Sequence, residues 1–219
     1  MKDYFEDFFI EFEKRDDLEK FAYFGLTQKI ERPIQCEFAY YLYNEYLKKD
    51  DKKIVALEYS LGKRASADIL VLSHNDDKEI IIEFKACFAE DLYPERIKKP
   101  KGYGTKILDD YGKRKEIAKQ KYFVLLAAYP YNFTKKNKEE KLYLKRYIKN
   151  YSANAKHFTR IIDGIKDFNN YENDSRDFLN DFFKKKGIPL ECIFHKYTYL
   201  GKALNLDCGL YCFIFGIKA

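Results

Sequence analysis

The chain has 219 residues, of which 46% are hydrophobic and 35% are charged. This composition excludes a disordered chain, and the longest apolar runs, 123–129 and 210–217, fall far short of the about 20 residues that span a bilayer. Lysine and arginine outnumber acidic residues by 41 to 35, and the net charge of +6 permits a polyanionic partner without requiring one. Because the amino terminus is too acidic to open a secretory signal, we expect a cytoplasmic protein with no membrane segment.

The first half of the chain predicts a helix, three strands, a second helix and a fourth strand. Apolar periodicity and turn residues place these elements at about 34–49, 54–61, 68–73, 79–88, 105–119 and 122–129. Pro33 suits the first turn of the first helix, and residues 74–78 form the turn between the second and third strands. Three meandering strands followed by a helical crossover indicate a mixed β-sheet flanked by helices, in the α/β class.

The second half predicts a helical and two-strand elaboration of this core. Helices are expected around 138–150, 159–168 and 175–186, and strands at 190–197 and 210–217. No repeat or Pro/Gly/Ser-rich linker interrupts the chain. We therefore expect 1–219 to be a single domain, with a core at about 31–129 and a carboxy-terminal elaboration at about 130–219.

The five cysteines are odd in number and lie mostly in apolar stretches, which favours reduced, buried thiols. An alternative is a zinc site formed by Cys192, His195, Cys208 and Cys212. Both segments are predicted strands, where a spacing of three residues puts Cys192 and His195 on opposite faces. Core packing is the favoured interpretation.

One acidic-x-lysine triplet differs from the others in its surroundings. The other triplets lie in charged or turn segments and begin at Asp50, Asp51, Asp76 and Glu139. Glu83 and Lys85 instead lie inside an apolar strand, between Ile, Phe, Ala and Cys residues. Two charges in such a strand cost free energy unless they are paired or functional.

The expected register of the hairpin places a second carboxylate beside this triplet. If Asn75 and Asp76 form a two-residue turn, residues whose numbers sum to 151 face each other, so that Asp68 lies opposite Glu83. Alternation brings Lys85 onto the same face. Opposed carboxylates repel each other unless a cation separates them, and two such ligands with a phosphate and waters suit Mg²⁺. The alternative is that Lys85 is only a counter-ion in a structural ion-pair cluster.

These residues resemble the motif of the PD-(D/E)xK nuclease superfamily, which has the restriction-endonuclease-like fold. The family motif is an Asp, a short hairpin and then Glu-x-Lys in a hydrophobic strand, and the resemblance covers about 31–129. Ala67 stands where the family name has Pro. The resemblance implies magnesium-dependent phosphodiester hydrolysis, with Mn²⁺ able to substitute. It assigns Asp68 and Glu83 as metal ligands and Lys85 as the residue that positions or activates the attacking water.

Two further glutamates are candidate ligands. Many members of the family carry a Glu on the first core helix, and Glu37 stands in that position. By resemblance, Glu37 would hold a second metal or its water shell. Glu58, near the end of the first strand, is a reserve ligand.

Basic residues near the candidate site are expected to contact a nucleic-acid backbone. They follow the third strand or lie in the second helix, and they are Lys98, Lys99, Lys101, Lys106, Lys113, Arg114 and Lys115. The tyrosines and phenylalanines are spread through every segment, which favours core filling over base stacking.

The resulting expectation is a divalent-metal-dependent endonuclease acting on DNA, of a restriction or defence type, and working as a homodimer. A junction resolvase or recombination nuclease is an alternative within the same chemistry. A catalytically inactive module that binds DNA through its basic surface is an alternative of another class.

Overall fold

The computed structural model describes residues 1–27, 30–49, 52–62, 65–92, 97, 99, 102–113, 118–131, 171–203 and 206–217. The helices in these ranges are α1 (Lys2–Phe12), α2 (Leu18–Thr27), α3 (Glu31–Lys48), α4 (Tyr103–Lys113) and α5 (Tyr171–Lys185). The strands are β1 (Ile54–Gly62), β2 (Ala65–Leu72), β3 (Lys78–Phe88), β4 (Gln120–Tyr131), β5 (Leu190–Ala203) and β6 (Leu206–Ile217). A 3₁₀ turn, Ala89–Leu92, follows β3.

The six strands form one mixed sheet in the order β1-β2-β3-β4-β6-β5. β3 and β4 are parallel and α4 lies in the connection between them, whereas the other neighbouring strands are antiparallel. The structure confirms the predicted α/β class and the mixed sheet flanked by helices. β5 and β6 join the far side of β4, so the carboxy-terminal strands extend the same sheet.

Helices cover both faces of the sheet, and successive side chains of each strand lie on opposite faces. On one face Val124 and Leu126 of β4 pack in a core with residues of α1, α2 and α3. On the other face Phe123 and Leu125 pack with residues of α4 and α5. The described part of the chain is therefore a three-layer arrangement with buried strands at its centre.

The element bounds differ from the predicted ones mainly at the ends. α3 begins at Glu31, before Pro33. α4 is described over Tyr103–Lys113, and residues 118 and 119, which were expected in this helix, are not helical. The helices expected around 138–150 and 159–168 lie outside the described residues. Among the helices described, none is long and apolar enough to cross a membrane.

The turn between β2 and β3 has three residues instead of the two that were predicted. The Ser73 amide donates to the Asp77 carbonyl over 2.9 Å, and the Asp76 amide donates back to the Ser73 carbonyl over 3.1 Å. Asp76 has a φ of 63°, the left-handed conformation that closes three-residue hairpin loops.

A bulge in β3 then compensates for the longer turn. Leu72 faces Lys78 and Val71 faces Ile80, so Glu79 is an extra residue on β3. Beyond this bulge the pairs are again those whose numbers sum to 151, such as Ile69 with Ile82. The predicted register is therefore correct near the candidate site, although the predicted turn is wrong.

Close packing fixes α4 against α5 at Gly104. A Cβ atom there would lie 2.7 Å from Cγ2 of Ile97 and 2.7 Å from Cε1 of Phe182, whereas one at Gly112 of the same helix would meet nothing within 4 Å. We expect Gly104→Ala to lower the free energy of unfolding by about 1 to 3 kcal/mol through overpacking. Gly112→Ala should be neutral or raise it by up to about 1 kcal/mol through helix propensity. Denaturant unfolding measures both, and equal effects would contradict this account of the contact.

Candidate active site

The candidate site lies where β2 and β3 separate. Their last paired residues toward the site are Ile69 and Ile82. β2 continues beyond this point paired with β1, as far as Ala65, while β3 continues paired with β4, as far as Phe88. The divergence leaves a notch between two strands that are otherwise neighbours.

Two carboxylates bind backbone amides of β3 in this notch. The Phe84 amide donates to Oδ2 of Asp68 over 2.7 Å, and the Ala86 amide donates to Oε2 of Glu31 over 2.9 Å. These bonds satisfy the amides beyond the last strand pair, where an unpaired backbone group would be costly. They also fix the position of both acidic side chains.

The structure brings Asp68, Glu83 and Lys85 together, as the sequence predicted. Asp68 directly follows the last pair of β2 and β3 toward the site, and its hydrogen bond to the Phe84 amide places it beside Glu83. Glu83 is buried, and its Oε2 lies 3.9 Å from Nζ of Lys85. Because β3 alternates, both side chains share the face of the sheet that α4 and α5 cover.

Asp110 of α4 is a further member of the site that the sequence analysis missed. Its Oδ2 lies 2.9 Å from Nζ of Lys85, which also donates to the Phe84 carbonyl over 3.0 Å. Burial of the Lys85 ammonium works to lower its pKa. The hydrogen bond and charge of Asp110, with the charges of Asp68 and Glu83, outweigh burial and raise the pKa above its ordinary value. Lys85 therefore carries a full positive charge at neutral pH.

The candidate site contains oxygen ligands of the kind that Mg²⁺ prefers. The carboxylates of Asp68, Glu83 and Asp110 all act on the ammonium of Lys85. No group of three His, Cys, Asp or Glu side chains arranged to hold a metal ion occurs among the described residues. Mg²⁺ needs fewer protein ligands, since it is commonly held by one or two carboxylates with waters and substrate phosphates. Asp68 and Glu83 fit that requirement in number and chemical type.

α3 contributes Glu31 and Gln35 to the candidate site, and not the predicted Glu37. Glu31 reaches Ala86, and Nε2 of Gln35 donates to the Asp68 carbonyl over 2.7 Å. Glu37 lies about 200° around the helix from Gln35 and bonds to Arg15 over 2.7 Å. The structure does not bring Glu37 to the notch, and Glu37 is therefore not part of the proposed site. Gln35 is a polar residue on the buried side of α3. A polar residue in such a position is a sequence signal that could have identified it as part of the site.

Glu58 of β1 lies next to the site in a strained backbone conformation. The neighbouring pairs, Leu57 with Ile69 and Tyr59 with Ala67, place it beside Asp68 in the register. Its φ is 50°, a left-handed value that is unfavourable for a glutamate. Its carboxylate accepts a hydrogen bond from Arg32 over 2.7 Å, so α3 holds it.

Only part of the predicted nucleic-acid surface can be placed. Lys98, Lys101, Arg114 and Lys115 lie outside the described residues, as does the side chain of Lys113. Lys99 is exposed, and its carbonyl accepts from the Gly102 amide over 2.8 Å. Lys106 lies in the first turn of α4, with Nζ 3.9 Å from the centre of the Tyr103 ring.

The alternative zinc set does not assemble. His195 is engaged by Glu172, 2.6 Å from Nδ1, and by Arg176, 3.0 Å from Nε2. Burial raises the pKa of the thiols of Cys208 and Cys212 above the ordinary value, and both side chains lie in the core. These thiols are core residues, as the strand periodicity indicated.

Comparison of the chain with protein-family models, with curated proteins and with solved structures finds no match. The resemblance to the PD-(D/E)xK superfamily therefore depends on the residues of the site and their arrangement.

Proposed function

We propose that the chain is a divalent-metal-dependent nuclease that hydrolyses phosphodiester bonds of DNA. The observation that carries this proposal is the position of Asp68, Glu83 and Lys85 on one face of the sheet, where β2 and β3 separate. The order α3, β1, β2, β3, α4, β4 also agrees with the helix, three strands, helix and strand of a restriction-endonuclease-like core. We propose that core as the fold of residues 31–131.

The contacts of Lys85 argue against a purely structural ion-pair cluster. In such a cluster Lys85 would be the counter-ion of Asp68 and Glu83. Its closest carboxylate is instead Asp110, at 2.9 Å, while Oε2 of Glu83 is 3.9 Å away. Lys85 is therefore paired more closely with Asp110 than with Glu83 and is not mainly the counter-ion of Glu83.

Each residue has a distinct proposed role. Asp68 and Glu83 would hold the cation, with Glu31 on α3 close to the same strand end. When bound, Mg²⁺ lowers the pKa of a coordinated water and polarises the phosphate. Lys85 would position or activate the attacking water and offset the negative charge that develops on the phosphate.

The direct test is incubation of the purified protein with supercoiled plasmid, with Mg²⁺ and with EDTA. We expect conversion to nicked or linear DNA only with the metal. Absence of cleavage with Mg²⁺ and with Mn²⁺, on plasmid, single-stranded and branched DNA, would contradict the proposal. Preference for a branched substrate would favour the resolvase alternative, and metal-independent binding without cleavage would favour the inactive DNA-binding module.

The lysines before and within α4 are proposed to contact DNA phosphates. Each contact releases condensed counterions, so the Lys99→Ala and Lys106→Ala variants should each flatten the slope of log affinity against log salt by about one unit on duplex DNA. The loss should be similar for every sequence tested. Lys48→Ala is the matched control, because this exposed lysine lies on α3, across the sheet. Anisotropy titrations in EDTA measure binding without cleavage, and an unchanged slope in the first two variants would contradict the assignment.

The proposed quaternary state is a homodimer, because one site cuts one strand and two sites are needed to cut a duplex. β1 is an edge strand of the sheet and exposes the apolar side chains of Ile54, Leu57 and Tyr59. An edge of this kind is suited to pairing with another chain.

A further inference from the structure

We propose that Asp110 is a positioning residue for Lys85: it holds the ammonium closer to itself than to Glu83, so that the lysine does not neutralise a carboxylate that a divalent cation would require. The inference rests on the proposed function and assigns a role to a helix residue outside the nuclease motif.

The distances around Lys85 carry the argument. The ammonium lies 2.9 Å from Oδ2 of Asp110, a hydrogen-bonded ion pair, but 3.9 Å from Oε2 of Glu83. The Lys85 and Asp110 side chains are 23% and 14% exposed, so water screens the pair less than it would at the surface. Asp110 therefore competes successfully with Glu83 for the same positive charge.

Removal of the Asp110 charge would redirect the lysine. The Glu83 carboxylate would become the nearest partner, and the flexible Lys85 side chain can close the remaining gap by rotation about its carbon chain. The ammonium would then neutralise a carboxylate that the cation requires. Metal binding would have to break that ion pair, so the apparent metal affinity would fall.

The packing of α4 gives Asp110 a fixed position from which to act. Its helix neighbours Ile107 and Tyr111 are buried in the core, and Gly104 lies directly against Phe182 of α5. Asp109, by contrast, is exposed on the same helix. The two adjacent aspartates therefore allow a matched comparison, with the same change of charge one residue apart.

The test measures Mn²⁺ binding by the loss of the free-ion signal in electron paramagnetic resonance, together with plasmid cleavage. Residues that orient metal ligands typically contribute about 10- to 100-fold to affinity or activity. We expect Asp110→Asn to weaken Mn²⁺ binding by about tenfold or more and to slow cleavage, and Asp109→Asn to change both by less than about twofold. Asp110→Glu, which keeps the charge, should recover part of the loss. Melting temperatures of the variants separate these effects from unfolding.

A double-mutant cycle identifies the lysine as the intermediary. In a Lys85→Met background there is no ammonium to position, so Asp110→Asn should weaken Mn²⁺ binding no more than Asp109→Asn does. An equal loss with and without Lys85 would show that Asp110 acts directly on the metal and would overturn the inference. Unchanged Mn²⁺ binding in Asp110→Asn would overturn it as well. If the native chain binds Mn²⁺ but cleaves no DNA, the nuclease proposal fails while this cycle still decides the role of Asp110.

Discussion

The Glu83→Gln variant is expected to lose more than about a thousandfold in cleavage rate while it still binds DNA. Glutamine keeps the size of this buried side chain but removes the charge that would hold a divalent cation. A metal ion supplies several kcal/mol of transition-state stabilisation, and each 1.36 kcal/mol is about tenfold in rate. Asp68→Ala should have a similar effect. Cleavage of plasmid at saturating Mg²⁺ and anisotropy titration in EDTA measure the two properties separately.

Glu79→Gln is the control for this loss. Glu79 belongs to the same strand, is partly buried and pairs with Lys53 over 3.5 Å, but it lies at the bulge, away from the notch. The variant should cleave at nearly the native rate. Retained activity in Glu83→Gln, or an equal loss in both variants, would disprove the assignment of Glu83.

The Lys85→Ala variant is expected to lose about 100- to 1000-fold in the cleavage step, the usual effect of removing one group that stabilises developing charge. Its affinity for Mn²⁺ should not fall, because the change removes a positive charge beside Asp68 and Glu83. Single-turnover cleavage and Mn²⁺ titration test these two effects independently.

Lys196→Ala is a closely matched control for Lys85. Lys196 is also a strand lysine, 24% exposed and 2.7 Å from a carboxylate, that of Glu13, but it lies on β5. Removal of Lys196 should leave single-turnover cleavage unchanged. If the two lysine variants were equally active, the role of Lys85 would be structural.

Local pattern was sufficient to predict how the three central residues of the candidate site are arranged. Alternation and a hairpin register place Asp68, Glu83 and Lys85 on one face, and both follow from residues within one pair of strands. The turn itself was predicted wrongly, as two residues instead of three. The extra residue at Glu79 restored the register, because a buried face strongly specifies which residues pair.

The surrounding residues could not be predicted in the same way. Asp110 reaches Lys85 only because α4 packs across β3. The position of a crossover helix on a sheet is a tertiary feature that local sequence patterns do not predict. Glu37 was assigned by resemblance, as the glutamate on the first core helix, whereas in the structure α3 begins at Glu31 and it is Glu31 that reaches β3. The polar Gln35 on the buried helix face was the available indication of the correct side.

The bulge at Glu79 absorbs the extra residue of the surface turn. The length of this turn therefore does not change which residues of β2 and β3 face each other near the notch. The exposed tip, residues 74–76, lies about 20 Å along the strand from Glu83, at roughly 3.3 Å per residue. Exposed loop tips are the usual places where proteins accept inserted sequence. A peptide tag or fluorophore site introduced at this tip would report on DNA binding from outside the notch, without altering the residues that face Asp68.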